Sequence, residues 1–259
     1  MLEIPAAFRE TCENPGKVTR LDYGRKFVLL YTPVRPAKRI LYLIHGGGGD
    51  QYAFFRPEFL NMADHMMEAG VMEPMYMVSP CFYDPDETDK TPGSSGKAVA
   101  KFCAELRKDI LPLTEAHAGQ AFAREDRVIG GFSMGGVTTW YAMLQALDLF
   151  YWFVPMSGDC WALGEKGGGT YPQETAQALA DAVKKQGSPD FRIHAVTGSK
   201  DIAYPNLDPQ IKAMQQMTEV FGKRLEYDVL ENGVHDYETI FRYLYHVLPE
   251  VSGKPGAAE

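Results

Sequence analysis

Gly131-Phe132-Ser133-Met134-Gly135 sets one serine between two glycines, after the run Val128-Ile129-Gly130. This spacing is G-x-S-x-G, which puts a nucleophilic serine on a sharp turn from strand into helix with its Oγ clear of the sheet. Glycines flank it because strand and helix crowd the turn and leave no room for a Cβ. The helix that follows places N–H groups and its positive dipole end beneath the hydroxyl, where they favour negative charge developing on a substrate oxygen. A glycine-rich turn that merely packs a helix on a strand would read the same way, so a base, an acid and an oxyanion donor must be found elsewhere in the chain.

A serine hydroxyl needs a base, and the base needs a third group to hold its tautomer; the chain order in such folds is serine, acid, histidine. Of the six histidines, His235 stands in a glycine-containing turn after the last expected strand and is the candidate base. His65, His117 and His246 fall in expected helices as surface or packing residues. His194 lies within a strand as a satisfied structural side chain, and His45 heads a glycine turn that it braces. Asp201 follows the penultimate strand in a turn of small residues and is the candidate acid. Asp159, one strand earlier, is the alternative, whereas Asp208 opens an expected helix and is accounted for by capping.

The run His45-Gly46-Gly47-Gly48-Gly49-Asp50 ends a strand and suits either a phosphate cradle or half of an oxyanion hole. No Walker lysine follows it and no G-x-G-x-x-G is present, which disfavours a nucleotide. Gly47 is therefore the expected oxyanion donor of this turn. Phe82, Tyr83, Trp161 and Tyr204, with Tyr237, lie on strand-end loops that could wall an acyl pocket, and Asp159 joins them as a candidate substrate contact.

The elements that must position these residues alternate along the chain. Strands are expected at 17–23 and 26–31 as a hairpin, then at 39–44, 75–78, 128–132, 151–156, 191–196 and 225–230. Helices are expected at 58–69, 97–117 with Pro112 interrupting, 137–147, 174–185, 208–221 and 237–248. Residues 81–95 read as a polar surface loop, and 161–172 as a flexible lid or substrate wall. Such alternation predicts an α/β fold of the α/β-hydrolase type, doubly wound and mostly parallel with an antiparallel N-terminal edge. Its site lies at the carboxyl ends of the strands.

The 259 residues carry a net charge of −8 and are 45% hydrophobic, enough for one core at 1–251 followed by a tail or linker stub at 252–259. Acidic balance argues against nucleic acid or anionic membrane as partner and favours a neutral substrate. The four cysteines have no C-x-x-C pair, so no zinc site or redox motif is suggested. There is no run of about 18 apolar residues to span a bilayer. No metal or organic cofactor is implied, and a homodimer is left open.

The stretches 40–50, 130–141, 153–161, 197–201 and 233–237, reading ILYLIHGGGGD, GGFSMGGVTTWY, FVPMSGDCW, TGSKD and GVHDY, are together more specific than the serine turn alone. Through them the chain resembles the carbohydrate esterases of the feruloyl and acetylxylan esterase type (family 1), in particular those of xylan-degrading gut and rumen bacteria. The resemblance implies a serine esterase with Ser133 as nucleophile, His235 as base, Asp201 as acid, and Gly47 and Met134 N–H groups as oxyanion donors. It implies release of ferulic or related hydroxycinnamic acids from arabinoxylan, with acetylxylan esterase as the alternative. S-formylglutathione hydrolases share the superfamily and the Ser-Met-Gly-Gly turn, but usually have histidine where this chain has Phe132. A secreted enzyme whose leader is absent from this chain is expected, with a cytoplasmic one as the alternative. A catalytically silent binding module would keep the fold, but an intact serine, acid and histidine in order speak against it.

Overall fold

In the computed structural model, which describes residues 3–253, the alternating elements assemble into one mixed sheet. The hairpin of β1 (Lys17–Tyr23) and β2 (Lys26–Thr32) turns at Gly24, whose φ of +55° suits a residue without Cβ. Then come β3 (Arg39–Ile44), β4 (Met75–Ser79), β5 (Arg127–Phe132), β6 (Trp152–Met156), β7 (Arg192–Gly198) and β8 (Leu225–Leu230). Their order across the sheet is β1-β2-β4-β3-β5-β6-β7-β8. β2 meets β4 antiparallel, and every pair from β4 to β8 is parallel.

The helices are α1 (Pro57–Glu68), α2 (Pro92–Glu105), α3 (Leu111–Ala118), α4 (Met134–Gln145), the short α5 (Gly167–Thr170), α6 (Pro172–Lys185), α7 (Tyr204–Gln216) and α8 (Tyr237–Val251). They cover both faces, so a strand in the middle must be apolar on both sides. In β3, Ile40, Tyr42 and Ile44 join one core with Phe102 of α2, Trp140 of α4 and Leu179 of α6. Leu41 and Leu43 point the other way, into a core with Phe59 of α1 and Leu244 of α8. Each such side chain, fully buried, contributes about 1.5–3 kcal/mol.

β3 and β5 are neighbours, Ile44 lying opposite Gly131, yet the chain leaves them differently. After β3 it crosses to β4 on one side, and after β5 it proceeds to β6 on the other. This reversal brings the glycine turn after β3 and the serine turn after β5 side by side at the carboxyl edge. No described helix is long and apolar enough to cross a membrane.

Several expected elements differ. The 97–117 helix is two, α2 and α3, joined by a wide turn at Leu106–Ile110 in which the Leu111 N–H reaches back to the Leu106 carbonyl. Pro112 lies just beyond, and its missing N–H leaves that widened turn as the accommodation. The loop expected at 81–95 is not all surface, since Cys81, Phe82 and Tyr83 are buried and α2 begins already at Pro92. α7 starts at Tyr204 instead of 208 with Pro205 in its first turn, so Asp208 is no cap and pairs with Lys212 at 2.7 Å. Of the expected tail, Ser252 is buried and donates to the Pro249 carbonyl, while 254–259 lie outside the described residues.

Candidate active site

Ser133 occupies φ +55°, ψ −115°, a conformation that non-glycine residues rarely adopt. Its surroundings over-determine it. The Ser133 N–H donates to the Met156 carbonyl at 2.9 Å, and its own carbonyl accepts from Val137 N–H at 3.0 Å. A Cβ at Gly131 would come within 2.6 Å of the Gly135 backbone, and one at Gly135 would overlap the Ile44 carbonyl. The serine is thereby aimed out of the sheet, at the carboxyl edge where β3 and β5 meet.

His235 stands on the turn between β8 and α8. Its neighbour Asp236 caps α8 by accepting the Thr239 N–H at 2.8 Å, which fixes the chain beside the imidazole. Phe132 packs against the ring at a centroid distance of 4.5 Å. With the proton on Nδ1, His235 donates to Asp201 Oδ1 at 2.7 Å, and Nε2 accepts the Ser133 hydroxyl at 3.0 Å. The Asp201 carboxylate has no exposure. Oδ1 also accepts the Ala203 N–H at 2.7 Å, whereas Oδ2 is buried without a partner among the described residues.

The glycine turn is held from beneath. Burial lowers the His45 pKa to about 4, so the ring is neutral. Nδ1–H donates to the Gly46 carbonyl at 2.7 Å, leaving Nε2 to accept from the Cys81 thiol at 3.1 Å. Gly46 N–H donates to the Tyr237 hydroxyl at 3.2 Å, Gly48 N–H to the Tyr83 hydroxyl at 3.1 Å, and Gly49 N–H to the Gly46 carbonyl. Among the four glycines of the turn this leaves the Gly47 N–H without a protein partner among the described residues. Met134 is the first residue of α4, whose N–H has no acceptor within its own helix. Gly47, Met134, Ser133 and His235 all line one cleft.

That cleft holds about 420 Å³, within the range of small-ligand sites. Trp161 and Asp159 line it as expected. Asp159 does not meet His235: its carboxylate accepts the Trp161 Nε1–H at 3.2 Å and the Gly168 N–H at 3.0 Å. Burial raises its pKa against the pull of those two donors. The 161–172 segment is docked by this contact, with Gly167 and Gly168 buried, and of the lid or substrate wall expected it forms a wall, Trp161, Glu165 and Lys166 lining the cleft. Four other expected walls lie elsewhere, Tyr237 beneath the glycine turn with its hydroxyl on the Gly46 N–H. Phe82 is buried and stacks on His45 at 4.4 Å, Tyr83 serves the glycine turn and bonds Ser95 Oγ at 2.6 Å, and Tyr204 opens α7 while Ala203 and Asn206 take the lining. Aromatic type alone does not tell a wall from a support. Lys90, Lys166, Asn206 and Ile202 also line the cleft and were not foreseen. Ile202, 74% exposed directly after the candidate acid, carried the one legible signal, an apolar residue in a polar strand-end turn.

With this geometry stand three likenesses. Endo-1,4-beta-xylanase Y of Acetivibrio thermocellus is 32% identical over 95% of this chain, which spans 24% of that protein. A serine-to-alanine mutant of the feruloyl esterase module from Clostridium thermocellum, complexed with sinapinate, superposes with a TM-score of 0.83 at 28% identity, covering 98% of this chain and 94% of that one. A ferulic acid esterase from the anaerobic fungus Anaeromyces mucronatus, in complex with ferulic acid, shares the fold at a TM-score of 0.73 and 17% identity, over 100% of both chains. The family model described as "Putative esterase" matches residues 48–247, and the chain belongs to that family of carboxylic-ester hydrolases.

Proposed function

We propose that the protein is a serine esterase that releases hydroxycinnamic acids, ferulic acid foremost, from feruloylated xylan. Ser133 is the nucleophile, His235 the general base and acid, Asp201 the group that orients and charge-balances the imidazole, and Gly47 and Met134 the oxyanion donors. The observation that carries the reading is the continuous hydrogen-bonded chain from Ser133 Oγ through His235 to the fully buried Asp201, opening into a cleft walled by Trp161.

Ser133 Oγ attacks the ester carbonyl as its proton passes to His235 Nε2, and the tetrahedral oxyanion takes hydrogen bonds from the two N–H groups. Collapse expels the sugar alkoxide, which receives the proton from Nε2 and leaves as the alcohol. Water, deprotonated by the same nitrogen, then cleaves the acyl-enzyme and the acid departs. Two features support the acyl group chosen. The related feruloyl esterase module binds sinapinate, and a 420 Å³ cleft offers far more room than an acetyl group fills. Phe132 against His235 replaces the histidine usual in S-formylglutathione hydrolases. A polymeric substrate of this kind carries with it an extracellular place of action.

The test compares kcat/KM for methyl ferulate, p-nitrophenyl acetate, acetylated xylan and S-formylglutathione. Methyl ferulate is expected to lead by about tenfold or more, equivalent to about 1.4 kcal/mol of transition-state binding. Ser133→Ala, which loses a hydroxyl and no packing, is expected to lower every rate by about 10⁴-fold or more. Preference for acetylated xylan would replace the feruloyl reading with the acetyl one, and an active Ser133→Ala would remove the nucleophile.

A further inference from the structure

Away from the cleft, the described residues offer three groups of histidine, cysteine and carboxylate side chains whose ligand atoms lie within 4.8 Å of one another, two of the groups sharing His194. In the first, Cys12, His65 and Glu68, the His65 Nδ1 stands 3.9 Å from Glu68 Oε2, a looser approach than the second group offers. The second joins three elements: His194 of β7, Asp228 of β8 and His246 of α8. Asp228 Oδ2 lies 2.8 Å from His194 Nε2 and 3.0 Å from His246 Nε2. We propose that His194, Asp228 and His246 form a binding site for a divalent first-row transition metal, Zn²⁺ above all, with water completing the coordination.

The donor set of two imidazoles and a carboxylate suits Zn²⁺ and its neighbours better than Mg²⁺ or Ca²⁺. Tetrahedral ligands at about 2.0–2.2 Å from zinc stand about 3.3 Å apart, so the two nitrogen–oxygen separations need open by only a few tenths of an ångström. The imidazole of His194 is buried, and its other nitrogen, Nδ1, donates to Glu250 Oε2 at 2.8 Å. This is the carboxylate–histidine arrangement that fixes a ligating ring with its free nitrogen toward the metal. Glu226, opposite His194 in the β7–β8 register, adds a third carboxylate 4.0 Å away. Asp228 on the Nε2 side and Glu226 and Glu250 on the Nδ1 side put three carboxylates around His194, which favours a divalent cation taking the place of the Nε2 proton. Asp228 and His246 are 41% and 36% exposed, which gives the ion a path and its water a place.

A metal here would fasten β7, β8 and α8, the elements that lead into Asp201 and flank the His235 turn. The test is calorimetric titration of the chelator-stripped full chain with ZnCl₂, together with the absorption of Co²⁺ bound in its place. One equivalent of binding, a tetrahedral Co²⁺ spectrum, and a rise in Tm of roughly 5–10 °C at a hundredfold excess over Kd are expected. His246→Gln, at an exposed position, is expected to fold as the wild type does in chelator and to weaken Zn²⁺ at least tenfold. Glu250→Gln is expected to weaken it about 10–100-fold, and Cys12→Ser to leave it unchanged. Equal affinity in wild type and His246→Gln, loss of binding in Cys12→Ser, or no saturable heat at millimolar Zn²⁺ would overturn the site.

Discussion

Asp201 holds His235 through a single oxygen. Oδ1 accepts the imidazole Nδ1–H at 2.7 Å and the Ala203 N–H at 2.7 Å, while Oδ2 is buried and unpartnered among the described residues. The second donor has a consequence for substitution. In Asp201→Asn, the Ala203 N–H requires an acceptor at the Oδ1 position, so the amide oxygen faces His235 and the tautomer is kept. What goes is the negative charge that stabilises the imidazolium.

Asp201→Asn is therefore expected to lower kcat/KM by about 10²–10⁴-fold, at or below the roughly 10⁴-fold of the serine protease case in which the wrong tautomer is imposed. Asp159→Asn, whose carboxylate contacts Trp161 and Gly168, is expected to cost p-nitrophenyl acetate hydrolysis less than about tenfold. Steady-state kinetics of the two variants decide. A larger loss in Asp159→Asn would move the acid one strand earlier.

A second expectation concerns the glycine turn, where Tyr83 and Tyr237 hydroxyls accept the N–H groups on either side of Gly47. Tyr83→Phe leaves the Gly48 N–H without its acceptor and frees the turn to rotate. Stability should fall by about 1 kcal/mol, and kcat by about tenfold with KM little changed, because the donor matters most once the oxyanion forms. A variant that loses stability but keeps kcat would show that Tyr83 only packs.

His45 makes stability depend on pH. Its folded pKa of about 4, set mainly by burial, lies below the unfolded value of about 6.5. Between these values the unfolded chain takes up a proton that the folded chain refuses, so stability falls as pH drops from 6.5 to 4. The full effect is about 3 kcal/mol. Urea midpoints of wild type and His45→Gln across that window measure it, the variant being less stable at neutral pH but flatter. Parallel slopes would mean that His45 titrates as it does in the unfolded chain.

What was legible in the sequence followed from local patterning. Apolar runs such as 39–44 with glycines at their ends named the strands, and the strand-end turns named Ser133, Asp201 and His235, which the structure brings into one hydrogen-bonded chain. The supports were illegible. Phe82, Tyr83 and Tyr204 have the same aromatic character as Trp161, and only packing tells which ring faces solvent. Position favoured Asp201 but left Asp159 open as the alternative, since both follow a parallel strand. The difference lies in the Gly168 N–H and the indole that claim it. The cluster at His194 was invisible for a related reason: its ligands come from β7, β8 and α8 and have no spacing in common.

The last expectation rests on Trp161. Its indole lines the cleft and is anchored at Nε1 by Asp159 at 3.2 Å, so the ring is positioned in advance of any ligand. A hydroxycinnamoyl ring lying against it gains about 0.5–1.5 kcal/mol beyond area burial, whereas an acetyl group is too short to share that surface. Trp161→Ala is expected to lower kcat/KM for methyl ferulate by about tenfold or more while changing p-nitrophenyl acetate by less than about threefold. Trp161→Phe keeps a flat wall without the anchor and should fall between. Asp159→Asn offers one acceptor oxygen to two donors, the indole N–H and the Gly168 N–H, and should fall between wild type and Trp161→Ala on methyl ferulate while sparing p-nitrophenyl acetate. Equal losses on both esters in Trp161→Ala would make the indole a brace for the 161–172 segment, and the feruloyl preference would then need another wall.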